Sequence, residues 1–187
     1  AFVWGGPNSF SGANATETIT AAGMANAGTY TVVVTDANGC VNFTTANVTV
    51  NQQPIVVASG TNVCENSNAQ LTAGGGITYS WSGPGGFTSG TQNPIIFGAT
   101  QASAGQYTVL VTDANTCTNT AVASIGINPA PIPNIITNSP ICINSIMNLT
   151  ASGGLISQWS GPNGFISSVQ SPTVFGSSAA VGGIYQV

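Results

Sequence analysis

Lysine, arginine and histidine are missing from all 187 residues, and the formal charges are confined to Glu17, Asp36, Glu65 and Asp113. An ordinary domain is about a quarter charged, so these absences exclude much chemistry. A chain without His or Lys holds no Ser-His-Asp triad, Ser-Lys dyad, Schiff base or cofactor lysine. Without Arg or Lys it has no phosphate clamp and no footprint for nucleic acid. Without His, a zinc site would need cysteines, and the four present do not stand in close pairs. A lysine-dependent amide crosslink is excluded on the same ground. No run of about 18 consecutive apolar residues, the length of a membrane helix, occurs, and no signal-peptide pattern is visible. The expectation is a non-enzyme with no catalytic, cofactor-binding or metal-ligating residues and no cofactor.

Carboxylate pairs could still support glycosidase chemistry, but the four acids are spread thinly. Asp36 and Asp113 stand in Thr-Asp-Ala-Asn-Gly-Cys and Thr-Asp-Ala-Asn-Thr-Cys. An Asp in that setting bonds its own backbone and forms a turn; a calcium ligand is the other reading. Glu17 and Glu65 read as surface charge.

What is present is repetition. Trp-Ser-Gly-Pro-Gly-Gly-Phe at 81–87 returns as Trp-Ser-Gly-Pro-Asn-Gly-Phe at 159–165 and, more loosely, as Trp-Gly-Gly-Pro-Asn-Ser-Phe at 4–10. Trp4, Trp81 and Trp159 stand 77 and 78 residues apart, and so do Tyr30, Tyr107 and Tyr185, and Phe10, Phe87 and Phe165. Cys40 and Cys117 are separated by 77 residues, Cys64 and Cys142 by 78. A period of that length is a small domain, not a solenoid coil. The frame predicts a partial repeat at 1–53, a complete one at 54–131 and a partial one at 132–187, a window on a longer array. Prolines at 54 and at 129, 131 and 133 mark the joints, where they stiffen the linker and stop a strand.

Within the complete repeat, short strands are expected at 55–58, 69–73, 77–82, 94–98, 105–113 and 120–127, broken by Gly, Asn and Pro. The clearest alternation lies at 105–113, with Tyr107, Val109 and Val111 on one side and Thr108, Leu110 and Thr112 on the other. Tyr79 and Trp81 share a face, and Ile96, Tyr107, Val109 and Val111 should meet them in the core. No stretch shows sustained helical periodicity, so the prediction is an all-β chain of sandwich modules.

Ala-Ser-Ala-Gly-Gln-Tyr at 102–107 and Ala-Asn-Ala-Gly-Thr-Tyr at 25–30, with a tryptophan upstream, are similar to the immunoglobulin signature around a tyrosine corner. The wording of the whole repeat, including Gln-Asn-Pro at 92–94 and Val-Thr-Asp-Ala-Asn at 111–115, resembles the Ig-like or PKD-like tandem repeats of large Bacteroidetes cell-surface adhesins of the gliding-motility type. The resemblance implies tandem immunoglobulin-like β-sandwich modules with a period of about 77–78 residues. Alternation and the repeat spacing predict a structural core of Trp4, Trp81, Trp159, Tyr30, Tyr107 and Tyr185. Val109 occupies the place of the second core cysteine of an antibody domain, so the usual cross-sandwich disulfide is not implied.

The repeat frame instead pairs Cys64 with Cys117 inside the complete module, a bond worth about 4 kcal/mol by loop entropy; Cys40 and Cys142 would pair outside the window. The rival pairing is Cys40–Cys64 across the joint. Either bond would need an oxidising compartment.

The Gly-Pro-Gly-Gly-Phe loop has two readings. It is a tight hairpin whose Phe tucks under its own sheet, or a contact loop in which Phe10, Phe87 and Phe165 stack on sugars or insert into a neighbour. Gly74-Gly75-Gly76 lacks the lysine of a phosphate loop. Asn14, Asn42, Asn47 and Asn148 head glycan-acceptor triplets, which are expected by chance in so Asn- and Thr-rich a chain. Soluble sheets guard their edges with charge, above all Lys, and this chain has almost none to place there. The functional expectation is a structural or adhesive segment of a secreted, cell-surface protein, forming an extended stalk or filament by self-association of like repeats. The alternative is a lectin-like tandem module for surface glycans, with avidity from its copies.

Overall fold

A computed structural model describes residues 1–176 and 179–187. The chain divides into two compact units, Ala1–Ile127 and Asn128–Val187. Residues 1–53 supply β1 (Phe2–Gly6), β2 (Phe10–Gly12), β3 (Gly28–Thr35) and β4 (Val41–Val48), joined in the order β2-β1-β3-β4. The complete repeat follows with β5 (Val57–Gly60), β6 (Asn62–Cys64), β7 (Ala69–Gly74), β8 (Thr78–Gly83), β9 (Phe87–Ser89), β10 (Ile95–Ile96), β11 (Gly105–Thr112) and β12 (Thr118–Asn128).

These eight strands form two sheets, β10-β7-β5 at the back and β6-β12-β11-β8-β9 at the front. That order is the immunoglobulin-like β-sandwich, with its first strand split between the sheets. β5 pairs with β7 in the back sheet. β6 then crosses to β12 and runs alongside it, since Gly60 lies against Ser124 and Asn62 accepts a bond from Gly126 N at 3.0 Å. The crossing explains why a single strand at 55–58 was the wrong expectation. β9 is the other strand that alternation does not reveal, because three residues after a turn show no period.

Between the sheets, Ala69, Leu71 and Ala73 of β7 meet Trp81, Tyr107, Val109 and Val111. Leu71, Val109 and Val111 are fully buried, and Trp81 is 1 % exposed. Val109 pairs directly with Trp81, and Val111 with Tyr79, so the alternation of β8 and β11 points one face of each into the core.

Residues 132–187 carry β13 (Asn134–Thr137), β14 (Ile146–Ser152), β15 (Trp159–Gly161), β16 (Phe165–Ser167) and β17 (Thr173–Phe175). They form sheets β13-β14-β17 and β15-β16, and Gln186 adds a single bridge to Ser160. Met147, Leu149, Ala151 and Trp159 are the core of this unit.

One substitution between the repeats has a traceable consequence. In the complete repeat Asn93 Oδ1 accepts from Ala73 N at 3.1 Å, which leaves Gln92 O free to accept the Trp81 indole N–H at 3.3 Å. Serine at 171 replaces that asparagine and cannot reach. Ala151 N turns to Gln170 O at 3.1 Å instead, and the Trp159 indole nitrogen is buried without a partner. A buried donor left unpaired costs about 1–3 kcal/mol. Ser171→Asn should therefore stabilise the C-terminal unit by about 1 kcal/mol and slow hydrogen exchange at the Trp159 indole in NMR spectra. Asn93→Ser should do the converse at Trp81. An unchanged exchange rate in Ser171→Asn would remove this explanation.

Candidate interaction surface

The repeated phrases of the sequence meet in one clasp. The Tyr107 ring lies flat on Gly83, so close that a Cβ there would collide with it; Tyr30 covers Gly6 and Tyr185 covers Gly161 in the same way. Beside it, Pro84 packs on Gly105, whose φ of 139° disfavours any side chain, and the pairs Pro7–Gly28 and Pro162–Gly183 repeat the contact. The Tyr hydroxyls donate to carbonyls four residues upstream: Tyr30 to Asn26 at 2.8 Å, Tyr107 to Ser103 at 2.7 Å and Tyr185 to Val181 at 2.8 Å. This is the tyrosine corner, and its 3-10 turn is closed by Ser103 Oγ accepting from Thr100 N. Burial raises the Tyr107 phenol above its ordinary value.

The hairpin that follows each Pro turns through two residues of left-handed backbone, Asn8–Ser9, Gly85–Gly86 and Asn163–Gly164. It returns the phenylalanine against the same tyrosine. Ring centroids are 5.3 Å apart for Phe10–Tyr30, 5.4 Å for Phe87–Tyr107 and 5.5 Å for Phe165–Tyr185, all edge to face. All three Phe rings are half-buried.

The acids hold turns. Asp113 Oδ1 accepts from Asn115 N and Cys117 N, each at 2.9 Å, and Asp36 Oδ1 from Asn38 N and Cys40 N at 2.9 and 2.8 Å. Glu17 Oε1 accepts from Ala13 N and Asn14 N and closes the loop under Trp4. The start of β12 anchors the joint: Asn119 Nδ2 donates to Pro54 O at 3.0 Å, and Pro54 is buried.

The expected disulfide is not formed. Cys40, Cys64, Cys117 and Cys142 are all free thiols, which excludes both Cys64–Cys117 and Cys40–Cys64. The reason is the sheet crossing. Cys117 immediately precedes β12, whereas Cys64 ends β6 beside the far end of that strand. At about 3.3 Å per residue the two lie on the order of 30 Å apart, and a disulfide needs Cα atoms within about 7 Å. The argument for an oxidising compartment from these cysteines falls with the bond.

In the complete repeat Trp81, Ile96, Ala99, Tyr107 and Ile125 belong to one core; the matching side chains of residues 1–53, Trp4, Ile19, Ala22, Tyr30 and Val48, line an open cavity of about 310 Å³.

Among the described residues, no helix is long and apolar enough to cross a membrane. No protein-family profile matches the chain, and no curated protein does. Solved structures similar to it include the three N-terminal domains of the bacteriophage RB49 highly immunogenic outer capsid protein, at 17 % identity and a TM-score of 0.40, covering 91 % of this chain and 68 % of that one. The amphioxus IgVJ-C2 molecule is similar at 18 % identity and a TM-score of 0.37, covering 67 % and 88 %. The Ig1 domain of mouse SynCAM 2 is similar at 17 % identity and a TM-score of 0.34, covering 43 % and 100 %.

Two outcomes are expected. Because the folded Tyr107 pKa is raised above the unfolded value of 10.0, its contribution is intact below that pH and is lost as pH rises through the folded value. Tyr107→Phe should cost about 1 kcal/mol at neutral pH and flatten that part of the alkaline unfolding profile in urea titrations. Ellman titration of protein purified without reductant should count four thiols, with half-buried Cys117 reacting last; a count of two after unfolding would restore a disulfide.

Proposed function

We propose that this chain is a segment of an extracellular, cell-surface array of immunoglobulin-like modules, of the large Bacteroidetes adhesin type, that builds an extended stalk or filament for adhesion or surface motility. The observation that carries the reading is the recurrence of one clasp in all three repeats at the same spacing. An enzyme elaborates one site; here the repeated Gly, Pro, Phe and Tyr residues serve the same local packing in each copy. Asp36 and Asp113 are spent on turns, and the clasp itself holds no carboxylate pair for acid–base work. Pro54, buried and bonded to Asn119, ties the joint to the module that follows it, as a spacer needs. A chain without Lys or Arg also offers trypsin-like proteases no cleavage site, which suits exposed material.

Binding of surface glycans through Phe10, Phe87 and Phe165 has less support, since each ring gives its edge or face to a tyrosine of its own module rather than standing free as a stacking platform.

The test is immunogold electron microscopy of intact source cells with antibodies raised against residues 54–131, before and after trypsin. Label along surface appendages, surviving trypsin, is the expected result. Label seen only after lysis would overturn the reading.

A further inference from the structure

We propose that the outer face of the back sheet in the complete repeat is a contact between two copies of this chain, in which Phe97 of each copy enters a hollow over Gly74 of the other. The inference deepens the filament reading above, on which its biological sense rests, by giving neighbouring arrays a lateral contact. Projection and hollow both lie within the complete repeat.

The projection comes from β10. Ile96 packs into the core, so Ile95 and Phe97 on either side of it face away from the core. Ile95 stands opposite Gln70, on the solvent side of β7, and Phe97 is 75 % exposed. Phe87 packs on Tyr107, whereas Phe97 pairs with no aromatic ring among the described residues. Its counterpart Phe175 is also exposed and pairs across strands with the exposed Ile146. An isoleucine therefore accompanies the ring in both copies, which suits an apolar protein contact better than a sugar.

The hollow comes from a glycine. β5 and β7 pair Val57 with Gly74 and Ser59 with Thr72. Gly74 puts no side chain beside Val57 and Thr72, and the two strands there line an open hollow of about 240 Å³. A cavity of about 150 Å³ accepts a benzene ring, so a phenyl side chain fits. The Ser59 and Thr72 hydroxyls bond to each other at 2.7 Å, so covering them strands no donor. Ser152 replaces Gly74 in residues 132–187, so the hollow belongs to the complete repeat.

Projection and hollow lie toward opposite ends of one face. Ile96 pairs with Ala69 at the start of β7, and Gly74 ends that strand, a span of about 17 Å at 3.4 Å per residue. A two-fold axis that crosses β7 midway and lies parallel to the sheet sets each Phe97 over the other copy's hollow. The surface meets itself, as in an isologous dimer, and both projections and both hollows are used at once. Charge does not oppose the contact. The sole charged residue between 54 and 98 is Glu65, outside β5, β7 and β10, and the face lacks the lysines that keep sheets apart elsewhere. Three short strands make a small interface, so the dimer is a weak one.

Sedimentation velocity on the 187-residue protein, in reductant and over a series reaching high concentration, tests this. A reversible monomer–dimer equilibrium is expected. Phe97→Ser removes the projection, and Gly74→Val fills the hollow. A Cβ at Gly74 meets only Val57, at 3.4 Å, so the second variant keeps its fold. Each should weaken dimerisation by roughly tenfold or more. Val122→Ser, on the outer face of the front sheet and 52 % exposed, should leave it unchanged. Mixing the Phe97→Ser and Gly74→Val chains restores one of the two insertions, so the mixture should dimerise more strongly than either variant alone. An unsubstituted chain that stays monomeric throughout would overturn the contact, and so would a mixture no stronger than its parts, the result that a merely adhesive or misfolded surface gives. A monomer would leave the stalk reading standing, because a stalk needs only covalent joints; a dimer without label at the cell surface would remove that reading and keep the contact.

Discussion

The contact on which each module depends is a ring laid on a glycine. Tyr107 can cover Gly83 only because no Cβ intervenes, and Pro84 can reach across only because Gly105 has none either. The two halves come from segments about 20 residues apart, the β8–β9 hairpin and the corner before β11. Their meeting locks the front sheet at one end and orients Phe87 onto the tyrosine edge. The tryptophan then sits between this clasp and β7. Deleting the clasp would leave β8 and β11 paired but their end unpinned, which is why both phrases recur together wherever either occurs.

Near-absence of charge shapes the remaining interactions. Where other domains use ion pairs, this one uses side-chain amides bonded to backbone. Gln92 Nε2 donates to Ala73 O at 2.8 Å, Asn62 Oδ1 caps Gly126 N, and Asn138 bridges Ile146 O and Asn148 N. Such bonds are short-range and directional, and ionic strength has little in them to screen. They also make stability sensitive to single amide losses. The Asn at 93 and Ser at 171 differ by one reach, and that reach decides whether a buried indole has a partner.

Much of this was legible in the sequence. The 77–78-residue frame, the alternation of 105–112 and the aromatic series point to the core because burial follows period two, and Trp81, Tyr107, Val109 and Val111 are buried as that alternation requires. Asp36 and Asp113 as turn formers follow from local chemistry alone. What failed needed nonlocal knowledge. The first strand divides between two sheets at Gly60–Thr61, and nothing in 55–64 announces which partner each half takes. That crossing carries Cys64 to the opposite end of β12 from Cys117, so equal repeat spacing did not mean proximity.

A neutral repeat with strong internal clasps has a problem that charged repeats avoid. Its modules are alike enough for a strand of one to satisfy the sheet of another. The joint answers part of this: with Pro54 buried and bonded to Asn119, β5 is held where it pairs with its own β7. Residues 1–53 keep the clasp of Tyr30 on Gly6 and Phe10, so the front sheet carries its pin in this copy too.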